Sequence, residues 1–135
     1  MPSMNTQRHL ILIAITLSAW AGFFLLGLPF DYFVEWSVAE KILLSLVTAF
    51  AIVPFIAFFV LLFIGVDYFK TSIWFAFYAS ALAVVLDFIV VGMIQGSGIH
   101  FLTSHWPQSL GYLYVWVSIP LVGASLSRIA KEKAV

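Results

Sequence analysis

Four long apolar stretches constrain this chain more than any other feature of its sequence. They cover residues 10–28, 42–66, 71–94 and 109–127, and Asp87 is the only charged residue inside them. A helix needs about 20 apolar residues to cross the roughly 30 Å hydrocarbon layer of a bilayer. Because backbone groups in lipid must be hydrogen-bonded within their own segment, we expect each stretch to be a helix. The predicted fold is all-α, a four-helix transmembrane bundle with up-down-up-down topology.

The composition excludes a water-soluble domain. Hydrophobic residues make up 64% of the chain and charged residues only 9%, whereas soluble domains carry about 25% charged residues. The length of 135 residues suits one domain, residues 1–135. The formal net charge is zero, so we expect membrane lipids and no nucleic acid as partners. The chain has no cysteine, which excludes thiolate catalysis and Cys-ligated metal centres, and we expect no cofactor.

The first stretch could instead be a signal peptide, since the basic Arg8 precedes it. A signal peptide has a shorter apolar core, of about 7–15 residues, followed by a small-residue cleavage site. Here the apolar stretch is longer and ends at Pro29, so we expect a retained helix. Ala14, Ser18 and Gly22 recur at every fourth position and would let another helix approach closely.

The basic residues predict the orientation in the membrane. With four spans, both termini and the turn at residues 67–70 lie on one side, and that side carries five of the six Lys and Arg residues. Only Lys41 lies on the other side. The positive-inside rule then places both termini in the cytoplasm. The five basic residues on that side are Arg8, Lys70, Arg128, Lys131 and Lys133.

Two prolines and one short turn predict how the spans bend and pack. Pro54 and Pro120 lie near the middle of the second and fourth stretches, where each removes a backbone hydrogen bond and should bend its helix. The turn at residues 67–70 is so short that the second and third spans should form an antiparallel hairpin. We expect these two spans to pack along much of their length.

Asp87 is the strongest chemical signal in the sequence. A carboxylate inside the bilayer costs a few kcal/mol, so its side chain should face protein or a water-filled cavity. Ala76, Ser80 and Ala83 lie on the same helical face, which indicates a helix interface. Two interpretations remain open. Asp87 is either a proton relay or substrate contact, or a neutral structural residue hydrogen-bonded to a neighbouring helix.

No Lys or Arg lies at the depth of Asp87, so its partners should be hydroxyl or indole groups. The outer half of the fourth stretch supplies hydroxyl groups, and the first stretch offers Ser18 or Trp20. The candidate intramembrane polar site comprises Asp87, Ser80, Tyr112, Tyr114 and Ser118.

His100 and His105 are candidates for a metal-binding pair, because imidazole is a common metal ligand. Their spacing places them about 140° apart on a helix, which is poor geometry for joint ligation. Histidines beside Trp106 at a membrane interface are a simpler explanation, so no metal site is predicted. No pattern predicts catalytic residues either, and an intramembrane enzyme is the least supported interpretation.

The second half of the chain resembles a known group of proteins. The residues that carry the resemblance are 83–88 (AVVLDF), Trp106-Pro107 and 111–116 (GYLYVW). They resemble small bacterial four-helix membrane proteins grouped as a family of unknown function. The resemblance implies a multi-pass protein of the bacterial inner membrane and no particular activity. Small multidrug exporters have a similar size, but they carry an essential glutamate in the first helix, where this chain has no acid.

Two functions follow from these observations. The first is a small transporter or channel-like protein that uses Asp87 as its coupling group. Four spans leave little room for a pathway within one copy, so this function would involve a homo-oligomer. The second is a non-transporting accessory or lipid-interacting subunit, alone or in a larger membrane complex, in which Asp87 is structural.

Overall fold

The computed structural model describes residues 3–135, which are almost entirely helical and contain no strand. Four helical spans are long and apolar enough to cross a membrane. The expected all-α architecture with four membrane-length helices is therefore confirmed. In chain order these four spans are Thr6–Phe33, Val38–Ile64, Tyr68–Ile94 and Trp106–Ala134.

Three of the four spans change helix type along their length. The first is an α-helix, Thr6–Gly27, followed by the 3-10 segment Leu28–Phe33. The second joins the α-helices Val38–Val47 and Val53–Ile64 through the π-helical segment Thr48–Ile52. The third is an α-helix, Tyr68–Asp87, that continues as the π-helical segment Phe88–Ile94.

The fourth span is one α-helix, Trp106–Ala134. Between the third and fourth spans lie a 3-10 turn, Gly98–His100, and a short α-helix, Phe101–Ser104.

Each span begins about one turn before its apolar stretch, and polar side chains cap the first three of these starts. The Asn5 side chain accepts the Arg8 N–H at 3.0 Å, and the Asp67 carboxylate accepts the Lys70 N–H at 3.3 Å. Ser37 and Glu40 form a reciprocal capping box. Such caps satisfy backbone N–H groups that have no partner within the helix.

The π-helical segment before Pro54 shows how the second span accommodates its proline. The Val53 N–H bonds the Thr48 carbonyl, five residues earlier, and in this register the Ala49 carbonyl would pair with residue 54. Pro54 has no N–H. Instead, the Ser118 hydroxyl of the fourth span donates to the Ala49 carbonyl at 2.9 Å. Pro120, in contrast, lies inside an uninterrupted α-helix.

The third span packs most extensively against the fourth, and not against the second as the short turn predicted. The reason is a close approach at Gly123, where a Cβ atom would lie 2.8 Å from the Tyr68 carbonyl oxygen and would also overlap Ser72. Ser72 and the nearby Ala76 are fully buried. Small residues therefore allow the backbones of these two spans to approach closely.

Hydrogen bonds fix the register between the third and fourth spans. The Phe69 N–H donates to the Ser127 hydroxyl at 3.1 Å, and the Trp116 indole N–H donates to the Ser80 hydroxyl at 3.0 Å. Residue numbers thus rise along the third span as they fall along the fourth.

The core draws side chains from all four spans, and a wide apolar surface remains outside it. Phe50 and Phe63, for example, are 78% and 73% exposed, as lipid-facing residues would be. Ala14, Ser18 and Gly22 are also exposed, and a Cβ at Gly22 would meet nothing within 4 Å. The stripe is therefore open within residues 3–135 of one copy, and close approach by another helix stays a prediction. The core residues are Leu12, Ala57, Val60, Ile64, Val66, Phe75, Ala76 and Ile119.

Candidate functional site

The Asp87 carboxyl joins three of the four spans. It lies at the last residue of the α-helical part of the third span. The Trp20 indole N–H of the first span donates to Oδ1 at 2.7 Å, and the Tyr112 hydroxyl of the fourth span donates to Oδ2. The π-helical segment begins at the next residue, Phe88. Such segments occur frequently at functional sites.

Asp87 borders a partly open cavity of about 380 Å³ that is lined by residues of all four spans. Most of the wall is apolar and includes Ile56, Phe75 and Val115. An apolar cavity with a few convergent polar groups is the usual form of a small-molecule site. Besides Asp87, the polar groups on this wall include Thr16, Trp20, Tyr32, His105, Gln108 and Tyr112.

Three polar atoms on this wall are buried without a hydrogen-bond partner. They are Thr16 Oγ1, the Tyr32 hydroxyl and Gln108 Oε1. Thr16 is 5% exposed and Tyr32 is 8% exposed. Buried polar atoms almost always have partners, and each unsatisfied atom costs about 1–3 kcal/mol. Each of the three residues therefore borders the cavity while one of its polar atoms stays buried and unsatisfied.

An unusual backbone turn brings Tyr32 to the cavity. Asp31, Tyr32 and Phe33 have positive φ angles of 46°, 52° and 64°, a conformation uncommon outside glycine. The ring then lies so close to Gly27 that a Cβ there would be 2.6 Å from Tyr32 Cδ1. Gln108 Nε2 donates to the Tyr32 carbonyl at 3.1 Å and holds the turn. Hydropathy gave no signal for this placement, because an aromatic residue beside Asp31 is typical of the headgroup layer.

A row of aromatic rings follows the wall from Asp87 toward the loops. Trp20 stacks on Phe24 with ring centroids 5.2 Å apart, and Phe24 contacts Tyr32 at 5.7 Å. Tyr32 in turn contacts the His105 ring edge-on at 6.1 Å. The faces and edges of these rings therefore form one continuous side of the cavity.

His105 lies in the loop at this end of the cavity, between the third and fourth spans. Burial lowers its pKa below the usual value, and the charge of Lys41 acts in the same direction, whereas Asp31 and Asp87 oppose the shift. The imidazole is therefore neutral at pH 7. Its Nδ1 lies 2.9 Å from the Ser104 hydroxyl.

His100 is exposed and does not border the cavity. Within residues 3–135, no three or more His, Cys, Asp or Glu side chains converge as a metal site would require.

The structure brings together only some of the residues of the candidate polar site. Asp87, Tyr112 and Tyr114 border the cavity. Ser80 does not, because its hydroxyl donates to the Ala76 carbonyl at 2.9 Å and accepts from Trp116. Ser118 is bound to the second span through Ala49, as described above.

Among the candidates on the first span, Trp20 contacts Asp87, whereas the Ser18 hydroxyl bonds the Ala14 carbonyl on the outer face. Sequence reasoning missed Thr16 and Gln108. Each lies one helical turn from a residue that contacts Asp87, Thr16 from Trp20 and Gln108 from Tyr112, and this spacing is the signal that could have found them.

Compared with known proteins, the chain matches no protein-family model, no curated protein and no solved structure. The resemblance to small bacterial four-helix membrane proteins therefore stays a prediction.

Proposed function

We propose that the protein is a multi-pass protein of the bacterial inner membrane with up-down-up-down topology and both termini in the cytoplasm. The opposed numbering of contacts between the third and fourth spans supports antiparallel neighbours. The excess of Lys and Arg at the termini and at the turn before Tyr68 supports the orientation.

The orientation can be tested by labelling single cysteines, since the chain has none of its own. A cysteine replacing Ser97 should react with a membrane-impermeant maleimide added outside intact cells. A cysteine replacing Ala134 should react only after the cells are opened. Labelling of the residue-97 cysteine from the cytoplasmic side alone would contradict the orientation.

Within this topology, the function that the geometry supports best is that of a small transporter with Asp87 as its coupling group. The observation that carries this proposal is the cavity of about 380 Å³, whose mostly apolar wall contains the Asp87 carboxyl. A coupling carboxyl must change its contacts when it gains a proton. The ionised group accepts hydrogen bonds from both Trp20 and Tyr112. A protonated Oδ2 would instead donate to the Tyr112 oxygen, which frees the Tyr112 O–H for another acceptor.

A coupling group also needs a route by which protons reach it. His105 borders the cavity and feels the charges of both Asp87 and the exposed Asp31. A neutral imidazole can accept a proton at one nitrogen and release one at the other. We propose that protons exchange between Asp87 and the loop side through His105.

We further propose that the transporter is a homo-oligomer. The stripe formed by Ala14, Ser18 and Gly22 is free within one copy and would allow close contact with a second. Membrane lipids would cover the rest of the apolar surface.

A second function, that of a non-transporting accessory or lipid-interacting subunit, is favoured by a different observation. Both carboxyl oxygens of Asp87 are bound, one to the first span and one to the fourth. A purely structural Asp87 would make the same two contacts.

The two functions can be separated in proteoliposomes that contain a pH-sensitive dye. The probes are three molecules of similar size that differ in charge: 3-phenylpropylamine, 3-phenylpropanol and 3-phenylpropanoate. If the protein is a proton-coupled transporter, at least one probe should drive a proton flux above that of protein-free liposomes. Asp87→Asn should abolish this flux and the exposed-site control Glu35→Gln should not. A flux that survives in Asp87→Asn would contradict the coupling role of Asp87, and no flux with any probe would favour the accessory function.

A further inference from the structure

We propose that the cavity beside Asp87 binds a small apolar amine in its protonated form, with the ammonium group at Asp87 and the hydrocarbon part along the aromatic row. This inference names the substrate class of the transport site and so rests on the proposed function. It is carried by the charge, the hydrogen-bonding capacity, the aromatic faces and the size of the cavity.

The charge of the wall selects against anions. Asp87 is the only acidic group among the described residues that line the cavity, and none of them is Lys or Arg. His105 carries no compensating charge at neutral pH, because burial lowers its pKa. An anion would therefore meet a carboxyl group without any cation to balance it, whereas a cation would find a counter-charge.

The free polar atoms favour a group that donates hydrogen bonds. Gln108 Oε1 can only accept, and the hydroxyl oxygens of Thr16 and Tyr32 can accept as well. An ammonium group has three N–H donors and no acceptor. Once these side chains turn toward the cavity, the ammonium group can satisfy both the carboxylate and the unpartnered atoms, which an alcohol with one O–H could do only in part.

The aromatic row favours a cation for an independent reason. Trp20, Phe24 and Tyr32 border the cavity on one side. A cation over an aromatic face gains about 0.5–2 kcal/mol, and more when water is excluded. The same rings also suit the hydrocarbon part of the molecule.

The volume limits the size of the amine. At about 380 Å³, the cavity lies near the lower end of the range of small-molecule sites. A molecule with one ring and a short chain fits this volume better than a multi-ring compound. We therefore choose 3-phenylpropylamine as the probe.

Binding to the purified protein in detergent can be measured at pH 7 by isothermal titration calorimetry. The amine should bind at least about tenfold more tightly than 3-phenylpropanol, and 3-phenylpropanoate should bind least. Asp87→Asn should lower the affinity for the amine about tenfold or more and leave that for the alcohol unchanged. Glu35→Gln is the matched control and should bind all three probes like the wild type.

Tyr32→Phe is a second variant that keeps the test valid if Asp87→Asn fails to fold. It removes only a buried hydroxyl that has no partner, so the fold should be retained. The affinity for the amine should fall several-fold. Equal binding of amine and alcohol by the wild type, or full binding of the amine by both variants, would overturn the inference.

Failure of this inference can be distinguished from failure of the proposed function. Asp87-dependent binding of the amine without proton flux in proteoliposomes would support the site and contradict transport. A proton flux driven only by the alcohol or the acid would support transport and contradict the assignment of an amine.

Discussion

Asp87→Leu is expected to lower the free energy of unfolding by about 2–6 kcal/mol. The substitution leaves the Trp20 indole N–H and the Tyr112 hydroxyl without their common acceptor, and each stranded buried group costs about 1–3 kcal/mol. Asp87→Asn should remain close to the wild type, because its amide oxygen can accept from Trp20 while its NH₂ donates to the Tyr112 oxygen. Thermal unfolding and SDS-induced unfolding in detergent measure both variants.

A triple variant shows whether the stranded donors cause the loss. Trp20→Phe and Tyr112→Phe, added to Asp87→Leu, remove both donors along with the acceptor. Replacing all partners of a hydrogen bond by apolar groups is often nearly neutral, so much of the lost stability should return. If Asp87→Leu alone is as stable as the wild type, the carboxyl does not hold the three spans together.

Gly123→Ala is expected to lower the free energy of unfolding by about 1–3 kcal/mol, the usual cost of overpacking. The added methyl group would lie 2.8 Å from the Tyr68 carbonyl oxygen. Backbone atoms cannot rotate away as a flexible side chain can, so the third and fourth spans must separate. The loss should appear as a lower unfolding temperature in detergent.

Gly22→Ala is the matched control, since a methyl group there would meet nothing within 4 Å in one copy. Both variants are measured on the monomer in detergent, so that the proposed contact between copies plays no part. It should be neutral or slightly stabilising, because alanine favours a helix over glycine by about 1 kcal/mol. In a Ser72→Gly background, the loss caused by Gly123→Ala should be smaller, because one of the two overlapping neighbours is gone. Equal effects of Gly123→Ala and Gly22→Ala would contradict the close approach.

Hydropathy predicted the four spans because lipid imposes one strong condition on every residue of a span. The N-terminal ends of the helices lie about a turn outside the apolar stretches, since caps such as Ser37 with Glu40 are polar and add nothing to an apolar pattern. The prediction that the second and third spans pack along much of their length was wrong. A short turn makes two helices sequence neighbours, but the closest packing occurs where Gly123 lets two backbones meet.

The contacts of Asp87 could be predicted only where a residue's depth in the membrane determines its partner. Tyr112 and Trp20 lie at the level of Asp87 and do contact it. Ser80 and Ser118 bond elsewhere because each finds a nearer partner, Trp116 and the Ala49 carbonyl. An aromatic residue such as Tyr32 beside Asp31 is typical of the headgroup layer, and the left-handed turn that buries it is a three-residue backbone feature without a sequence pattern of its own.

The hydrogen bond from Ser118 to Ala49 has a consequence for the order of assembly. Synthesis runs from the N-terminus, so the second span enters the bilayer before the fourth exists. Pro54 has no N–H to donate to the Ala49 carbonyl. Until the fourth span is made, this carbonyl also lacks the hydrogen bond from Ser118. In lipid such a group is unfavourable by several kcal/mol. The second span therefore completes its backbone hydrogen bonding only when the fourth span packs against it. The helix that is made last thus stabilises one that is made earlier.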